Sequence, residues 1–390
     1  MARPVRINRV LRGFRVALAG ALVACAGSST SDVGDTATTS PGGDQAAVTL
    51  SAAPARRDSG VRVLVYHDME GLAGQDDYRT FNYSHPAFYA KGQEWLAADI
   101  NAVVDGLFAG GATSVEIVDA HGSGNPSPDL IPAKLDKRAT QLTRDSSFRQ
   151  YVDIVEPDKY DAVVAVGMHA KTGSGGFASH TYTLGMDILM NDRSITETEL
   201  VAMSWGRVGV PVIFVSGDDK LAGDLATMPW IQYVITKHAT SASTVRLRNV
   251  DSVHAEMRAK AADAVRALND AKVMTVNTPV RASLRVVPPA SLAMLQGVPG
   301  IALAPDRTRV SFEARDFLAA YDGVVALIGV ARLSYPQVQS EVIRAHRDSS
   351  AILRQQRERL MERWLDVESG RWSALEPTPR AAGRKYHGAQ

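Results

Sequence analysis

The chain has 390 residues, 45% of them apolar and 22% charged, with a formal net charge of +1. Such a composition can bury a sizeable core in one large or two medium domains, and the near-neutral charge gives no general attraction to acidic partners. No Lys/Arg stripe interleaved with aromatics and no zinc-finger spacing is present, so nucleic acid is not expected as a partner.

The chain opens with Arg3, Arg6, Arg9, Arg12 and Arg15, followed by the apolar stretch VALAGALVACAG over 16–27. That core is too short to span a bilayer as a mature helix and fits a secretory signal. Cys25 is the single cysteine, so no intrachain disulfide can form. Leu22-Val23-Ala24-Cys25 is similar to a bacterial lipobox, in which the cysteine is lipidated after cleavage; simple cleavage at Ala24-Cys25-Ala26 is the alternative. Either way residues 1–24 are expected to be removed as a signal peptide. The protein is then expected to work outside the cytoplasm, as a cell-envelope lipoprotein or a periplasmic or secreted protein. Its membrane contact is limited to a lipid anchor at Cys25. Residues 25–60 are small, polar and rich in Gly, Ser and Thr, which predicts a disordered tether leading to a domain over 61–335.

From Val61 the pattern alternates. VRVLVY (61–66), SVEIVD (114–119), DAVVAVG (161–167) and PVIFVSG (211–217) are short Val- and Ile-rich runs, suited to parallel strands covered on both faces. Between the first two, Trp95, Leu96, Ile100, Val103, Val104 and Leu107 share one helix face, and the segment stops at Gly110-Gly111. This alternation predicts an α/β fold with a mainly parallel sheet and flanking helices. Ligands in such sheets bind beyond the carboxyl ends of the strands. Asp68 and Glu70 follow the first strand, Asp119 and His121 the second, His169 the third, and Asp218 and Asp219 the fourth. His180 follows a Gly-rich loop, and Glu197 stands where a helix should start.

Asp, Glu and His without thiolates suit zinc, or manganese or cobalt. More than four such groups at one edge suggest two divalent ions per chain, bridged by a shared carboxylate that helps hold an activated water. Each residue taken alone also fits a helix cap or a loop hydrogen bond. Strand alternation points His67 away from Asp68, which predicts a structural role, and Asp218-Asp219 fits a cap for a helix starting near Lys220. Lys171-Thr172-Gly173 has no S-x-x-K partner, and the glycines of 173–176 lack Walker spacing.

Further on, 251–273 predicts an amphipathic helix. SLRVVP (283–288), RVSFEA (309–314) and a helical 315–331 complete a smaller α+β portion. Residues 336–390 read as a helical, partly disordered C-terminal extension. Leu353, Leu360, Met361, Trp364 and Leu365 lie on a common face there, available to the domain or to a neighbouring subunit, and the stretch from Glu376 is expected to be disordered.

In order, Asp68-Met69-Glu70-Gly71, Asp119-Ala120-His121, Gly167-Met168-His169-Ala170, Ser179-His180, Asn191-Asp192-Arg193 with Glu197, and Gly217-Asp218-Asp219 make a pattern. The chain from about Val61 to Ser334 resembles the DppA-type D-aminopeptidases, a family of binuclear zinc metallopeptidases. The resemblance implies metal ligation by Asp68, Glu70, His121, His169 and Glu197, with Asp68 bridging. It also implies that His180 is catalytic, acting beside the metals rather than binding them. The substrate it implies is a short peptide with an N-terminal D-amino acid, such as a D-Ala peptide, and the assembly a homo-oligomeric ring. Two departures stand beside the site: Tyr66 where the family usually has Ser, and Thr196 where it has a smaller residue. Family members are generally cytoplasmic, whereas this chain begins with an export pattern. Hydrolysis of another small amide, or non-catalytic binding of metal or peptide by a lipoprotein, are the alternatives.

Overall fold

The computed structural model describes residues 47–55, 60–123, 125, 127–370 and 385–388. The export segment with Cys25 lies outside the described residues. The first strand, β1 (Val48–Ala52), is followed by β2 (Val61–His67), α1 (Pro86–Ala109), β3 (Ala112–Asp119), β4 (Ala139–Gln141) and β5 (Ala162–Met168). Next come β6 (Met186–Met190), β7 (Arg193–Ser194), α2 (Glu197–Gly206), β8 (Val212–Asp218), α3 (Asp219–Asp224), β9 (Gln232–Ser241) and β10 (Thr244–Leu247). The remainder holds α4 (Val250–Arg266), β11 (Lys272–Val276), β12 (Val280–Val286), β13 (Ala302–Leu303), β14 (Arg309–Ala314), α5 (Phe317–Ala331), α6 (Tyr335–Ala345) and α7 (Ser349–Glu368).

The central sheet runs β10-β9-β8-β5-β2-β3-β4. All its pairings are parallel except that of the edge strand β10, which runs antiparallel to β9. The four apolar runs read from the sequence are β2, β3, β5 and β8, its middle. Alternate residues divide between two cores, because successive side chains of a strand point to opposite faces. Val61, Val63 and Val65 pack with Leu96, Ile100 and Leu107 of α1 and Met257 of α4. Leu64 and Tyr66 face α2 and a second, antiparallel sheet of order β13-β14-β12-β6-β7, which α5 covers. Helix α1 starts with Pro86 in its first turn and ends at Gly110, as its apolar spacing and the Gly-Gly stop predict. Helix α5 belongs to a helical stretch, Phe317–Ala345, that is long and apolar enough by composition to cross a membrane. Phe317, Tyr321, Val324 and Ile328 of α5 are nonetheless buried in protein.

Three expectations need correction. Val48–Ala52, inside the expected tether, is a strand paired antiparallel with β11 from Val48↔Val276 to Ala52↔Lys272. Its alternation is too short and too small-sided to stand out, and pairing with β11 is what orders it. The helix expected over 251–273 ends at Arg266, and Lys272–Val276 turns back as a strand against β1. At the C-terminus, residues 371–384 lie outside the described segments, but Lys385–Gly388, expected to be disordered, is docked. Tyr386 exchanges backbone hydrogen bonds with Arg144 (2.8 and 2.9 Å) and is buried, as is His387.

Candidate metal centre

β2 lies between β3 and β5, so the chain departs from it to one side and later returns on the other. The crevice at such a switch point is where open α/β sheets bind ligands. Asp68 and Glu70 leave the end of β2, His121 follows β3 and His169 follows β5. The turn after β2 is tight. Gly71 N–H donates to Gly167 O at 2.7 Å, and a Cβ on Gly71 would stand 1.9 Å from Met168 O. Gly167 itself has φ +73° and its missing Cβ leaves room for Asp68 O. These two glycines let the ends of β2 and β5 interlock, which brings the carboxylates of one to the imidazole of the other.

Asp68, Glu70, His169 and Glu197 are all buried. The His169 Nε2 stands 3.4 Å from Asp68 Oδ2 and 3.5 Å from Glu197 Oε1. The His121 Nε2 is 3.5 Å from Glu70 Oε1, and the His180 Nε2 is 3.7 Å from Glu197 Oε1. His180 stacks on His169 with ring centroids 4.0 Å apart. Asp68, Glu70 and His169 offer ligand atoms within 4.8 Å of one another, and so do His169, His180 and Glu197. The structure therefore brings Asp68, Glu70, His169, His180 and Glu197 together, with His121 beside Glu70, while Asp218 and Asp219 serve elsewhere as the cap of α3 and the partner of Ala239 N–H. His180 lies within ligand reach of the same group, closer to it than a purely neighbouring role requires.

The supporting hydrogen bonds settle which nitrogens face inward. His169 Nδ1 lies 3.0 Å from Ala170 O and His180 Nδ1 2.7 Å from Ala178 O. Carbonyl oxygens only accept, so both Nδ1 atoms carry hydrogen and Nε2 is the nitrogen that faces the carboxylates. His121 Nδ1 is held likewise by Asp129 Oδ2 at 2.8 Å. Imidazole nitrogens facing carboxylate oxygens at 3.4–3.7 Å repel them unless a proton or a cation lies between. The spacing is that of ligands sharing one cation about 2 Å from each. His169 Nε2 is buried without a hydrogen-bond partner among the described residues.

Electrostatics tell the same story. Burial would lower His169, but Glu197 and Asp68 overcome it and hold the imidazole well above its usual range. Burial and then the neighbouring Glu70 raise Asp68. Against its own burial, Glu197 is pulled down to about 2 by His169. The cluster is built around positive charge, supplied either by protons or by metal.

Several residues at the site gave no signal in the sequence. Asp129 orients His121 while accepting from Tyr89 and Ser123. Tyr151 donates its hydroxyl to Glu197 Oε2, and Tyr182 N–H donates to Glu197 Oε1 at 2.7 Å. Lys237 is buried and reaches Glu70 O at 2.6 Å, holding the metal-bearing turn from behind. Isolated Asp, Tyr and Lys residues in loops and strands look like any others until the fold aims them.

The two family departures have structural explanations. Tyr66 is fully buried, bonded to Trp205 Nε1 and Gln150 O, and it stacks parallel to Tyr151. It meets the centre through that ring, which bonds Glu197. Thr196 caps α2 in a reciprocal box with Glu199, which fixes the helical turn that presents Glu197. Asp218 accepts from Lys220 and Leu221 N–H as the cap of α3, and from Phe177 N–H. His67 is fully buried with both ring nitrogens unpartnered among the described residues.

Imidazoles and carboxylates gathered at the carboxyl edge of a mainly parallel sheet make this a metal-binding protein of the α/β class. The D-aminopeptidase family model matches residues 61–326, and the chain belongs to that family of peptide-bond hydrolases. It is 28% identical over 270 residues to the D-aminopeptidase of Bacillus subtilis (strain 168), covering 68% of this chain and 95% of that protein. The solved structure of the Zn-dependent D-aminopeptidase DppA from Bacillus subtilis, described as a self-compartmentalizing protease, is similar with a TM-score of 0.62. That match has 25% identity and covers 69% of this chain and 97% of the other.

Proposed function

We propose that this chain is an exported zinc-dependent aminopeptidase that removes N-terminal D-amino acids from short peptides. The observation that carries the reading is the His169 Nε2, buried, bare and flanked by Asp68 and Glu197 within a cluster belonging to this family. Asp68, Glu70, His121, His169 and Glu197 would hold two ions. Manganese or cobalt suits the same donors. When bound, the ions supply Lewis-acid polarisation of the scissile carbonyl and acidify the attacking water.

This chain's own residues do the rest. His180 keeps a hydrogen on Nδ1 through Ala178 O, leaving Nε2 to take a proton and pass it to the departing amine. Burial, then the adjacent His169, lower its pKa, so it is neutral and able to accept near neutral pH. Tyr151 and Tyr182 hold Glu197 from outside, and Asp129 does the same for His121.

Export is supported by the arginines and apolar run of residues 1–27, with lipid attachment at Cys25. Outside the cytoplasm, D-amino peptides released by cell-wall turnover are the substrates that fit. A homo-oligomer is supported by the self-compartmentalizing relative.

The test compares His180→Ala with His169→Ala in metal content and in hydrolysis of D-Ala dipeptides. His180→Ala should retain both ions and lose on the order of a hundredfold or more in rate, whereas His169→Ala should lose metal and activity together. Wild-type turnover in His180→Ala would remove the proposed proton carrier. Metal loss in that variant would make His180 a ligand.

A further inference from the structure

Helices α6 and α7 lie beyond residues 61–326 of the family match. Neither has a single buried residue. Helix α7 nonetheless carries large apolar side chains: Leu360 is 63% exposed, Met361 55%, Trp364 56% and Leu365 47%. Their spacing puts them on one side of the helix. A contiguous exposed patch of this kind marks an interaction surface, and its charges indicate the occupant.

Arg354, Arg357 and Glu358 stand in the first half of α7, a net charge of +1, while Arg359, Glu362, Arg363, Asp366 and Glu368 stand in the second half, a net charge of −1. The helix is neutral as a whole but electrically polar along its length. Overall neutrality gives little attraction to an anionic lipid surface. Lengthwise polarity suits an antiparallel copy of itself, whose basic half lies against the acidic half. A two-fold axis between Glu362 and Arg363 sets Leu360 opposite Leu365 of the second copy and Met361 opposite Trp364. The same axis sets Arg357 opposite Glu368, which closes the apolar centre with an ion pair at each end. Such a contact is self-complementary, as a two-fold interface requires.

We infer that helix α7 is a self-association element that joins two copies of this chain through antiparallel α7 helices. It is separate from any contact made by the catalytic domain.

The experiment measures molar mass by sedimentation velocity on the full chain. The set is wild type, Leu360→Asp/Trp364→Asp, Arg357→Glu, Glu368→Arg, and the two charge changes together. All these positions are exposed and far in sequence from the catalytic machinery, so unchanged circular dichroism and peptidase activity report an intact fold. The apolar double variant and each single charge change should lower the mass of the assembly below that of wild type. Combining Arg357→Glu with Glu368→Arg should restore it. An unchanged mass in Leu360→Asp/Trp364→Asp overturns the inference. So does loss of co-sedimentation with phosphatidylglycerol–phosphatidylcholine vesicles in that variant at constant mass, which would assign the face to lipid.

Discussion

Asp129 shows how much of the site sits one residue behind the ligands. It fixes the tautomer and direction of His121 at 2.8 Å while its other oxygen accepts from Ser123 and Tyr89. Asp129→Asn preserves shape but removes the charge that makes His121 a better donor. Metal affinity should fall roughly 10- to 100-fold, measured by competition with a chromogenic chelator, with little change in the unloaded fold. His67, next to Asp68, is a different kind of residue. Burial holds its imidazole down at about 4, whereas an unfolded histidine binds a proton below about 6.5. Between those values the unfolded chain carries the extra proton. Stability is therefore full above about 6.5 and falls as the pH drops toward 4, by up to about 1.4 kcal/mol per unit. His67→Phe should flatten that acid slope in denaturant titrations across this range; an unchanged slope would place the acid sensitivity elsewhere. Cations bound nearby act in the same direction.

Among the elements, the docked C-terminal segment is the one whose contribution can be measured most directly. Tyr386 bridges to Arg144, Gly388 O accepts from Phe148 N–H, and Lys385 pairs with Asp145. The segment thereby lies along 144–148, next to Gln150, whose side chain contacts Ala120 O beside His121. Exposed pairs such as Lys385–Asp145 add little, so the buried Tyr386 ring dominates. Tyr386→Ala should cost on the order of 3 kcal/mol, read as a shift of the urea midpoint. A change within error would mean the ring is not packed in solution. The terminal tyrosine was illegible in the sequence because its partner, Arg144, lies 242 positions earlier. By contrast, α1 was legible almost to its ends, since its apolar spacing and Gly110 stop are local signals.

At the scale of the whole molecule, the metal centre is also a fastener. Its ligands come from the ends of β2, β3 and β5 and from α2, so ions held there clasp the two cores together. Binding only to the folded chain stabilises it by about 2.7 kcal/mol at a free metal concentration of a hundred times Kd. Chelation should therefore lower the thermal midpoint, and adding zinc back should restore it; calorimetry with equal midpoints for both forms would show the site to be empty or non-specific. The two cores share the central sheet, which explains why a single family domain extends over 61–326.

Residues 61–331 were largely readable because their information is short-range: apolar runs, helix spacing, and polar residues just past strand ends. Since strands of one parallel sheet end on the same edge, that pattern alone placed Asp68, Glu70, His121 and His169 together. Glycines at 71 and 167 could be read as part of a motif but not explained, because their need arises where two strand ends nearly collide. Asp129, Tyr151 and Lys237 were decided only by the tertiary structure. So were the strand at Val48–Ala52 and the return of Tyr386. Each owes its place to a partner distant in sequence, and a contact between distant residues leaves no periodicity along the chain to be read.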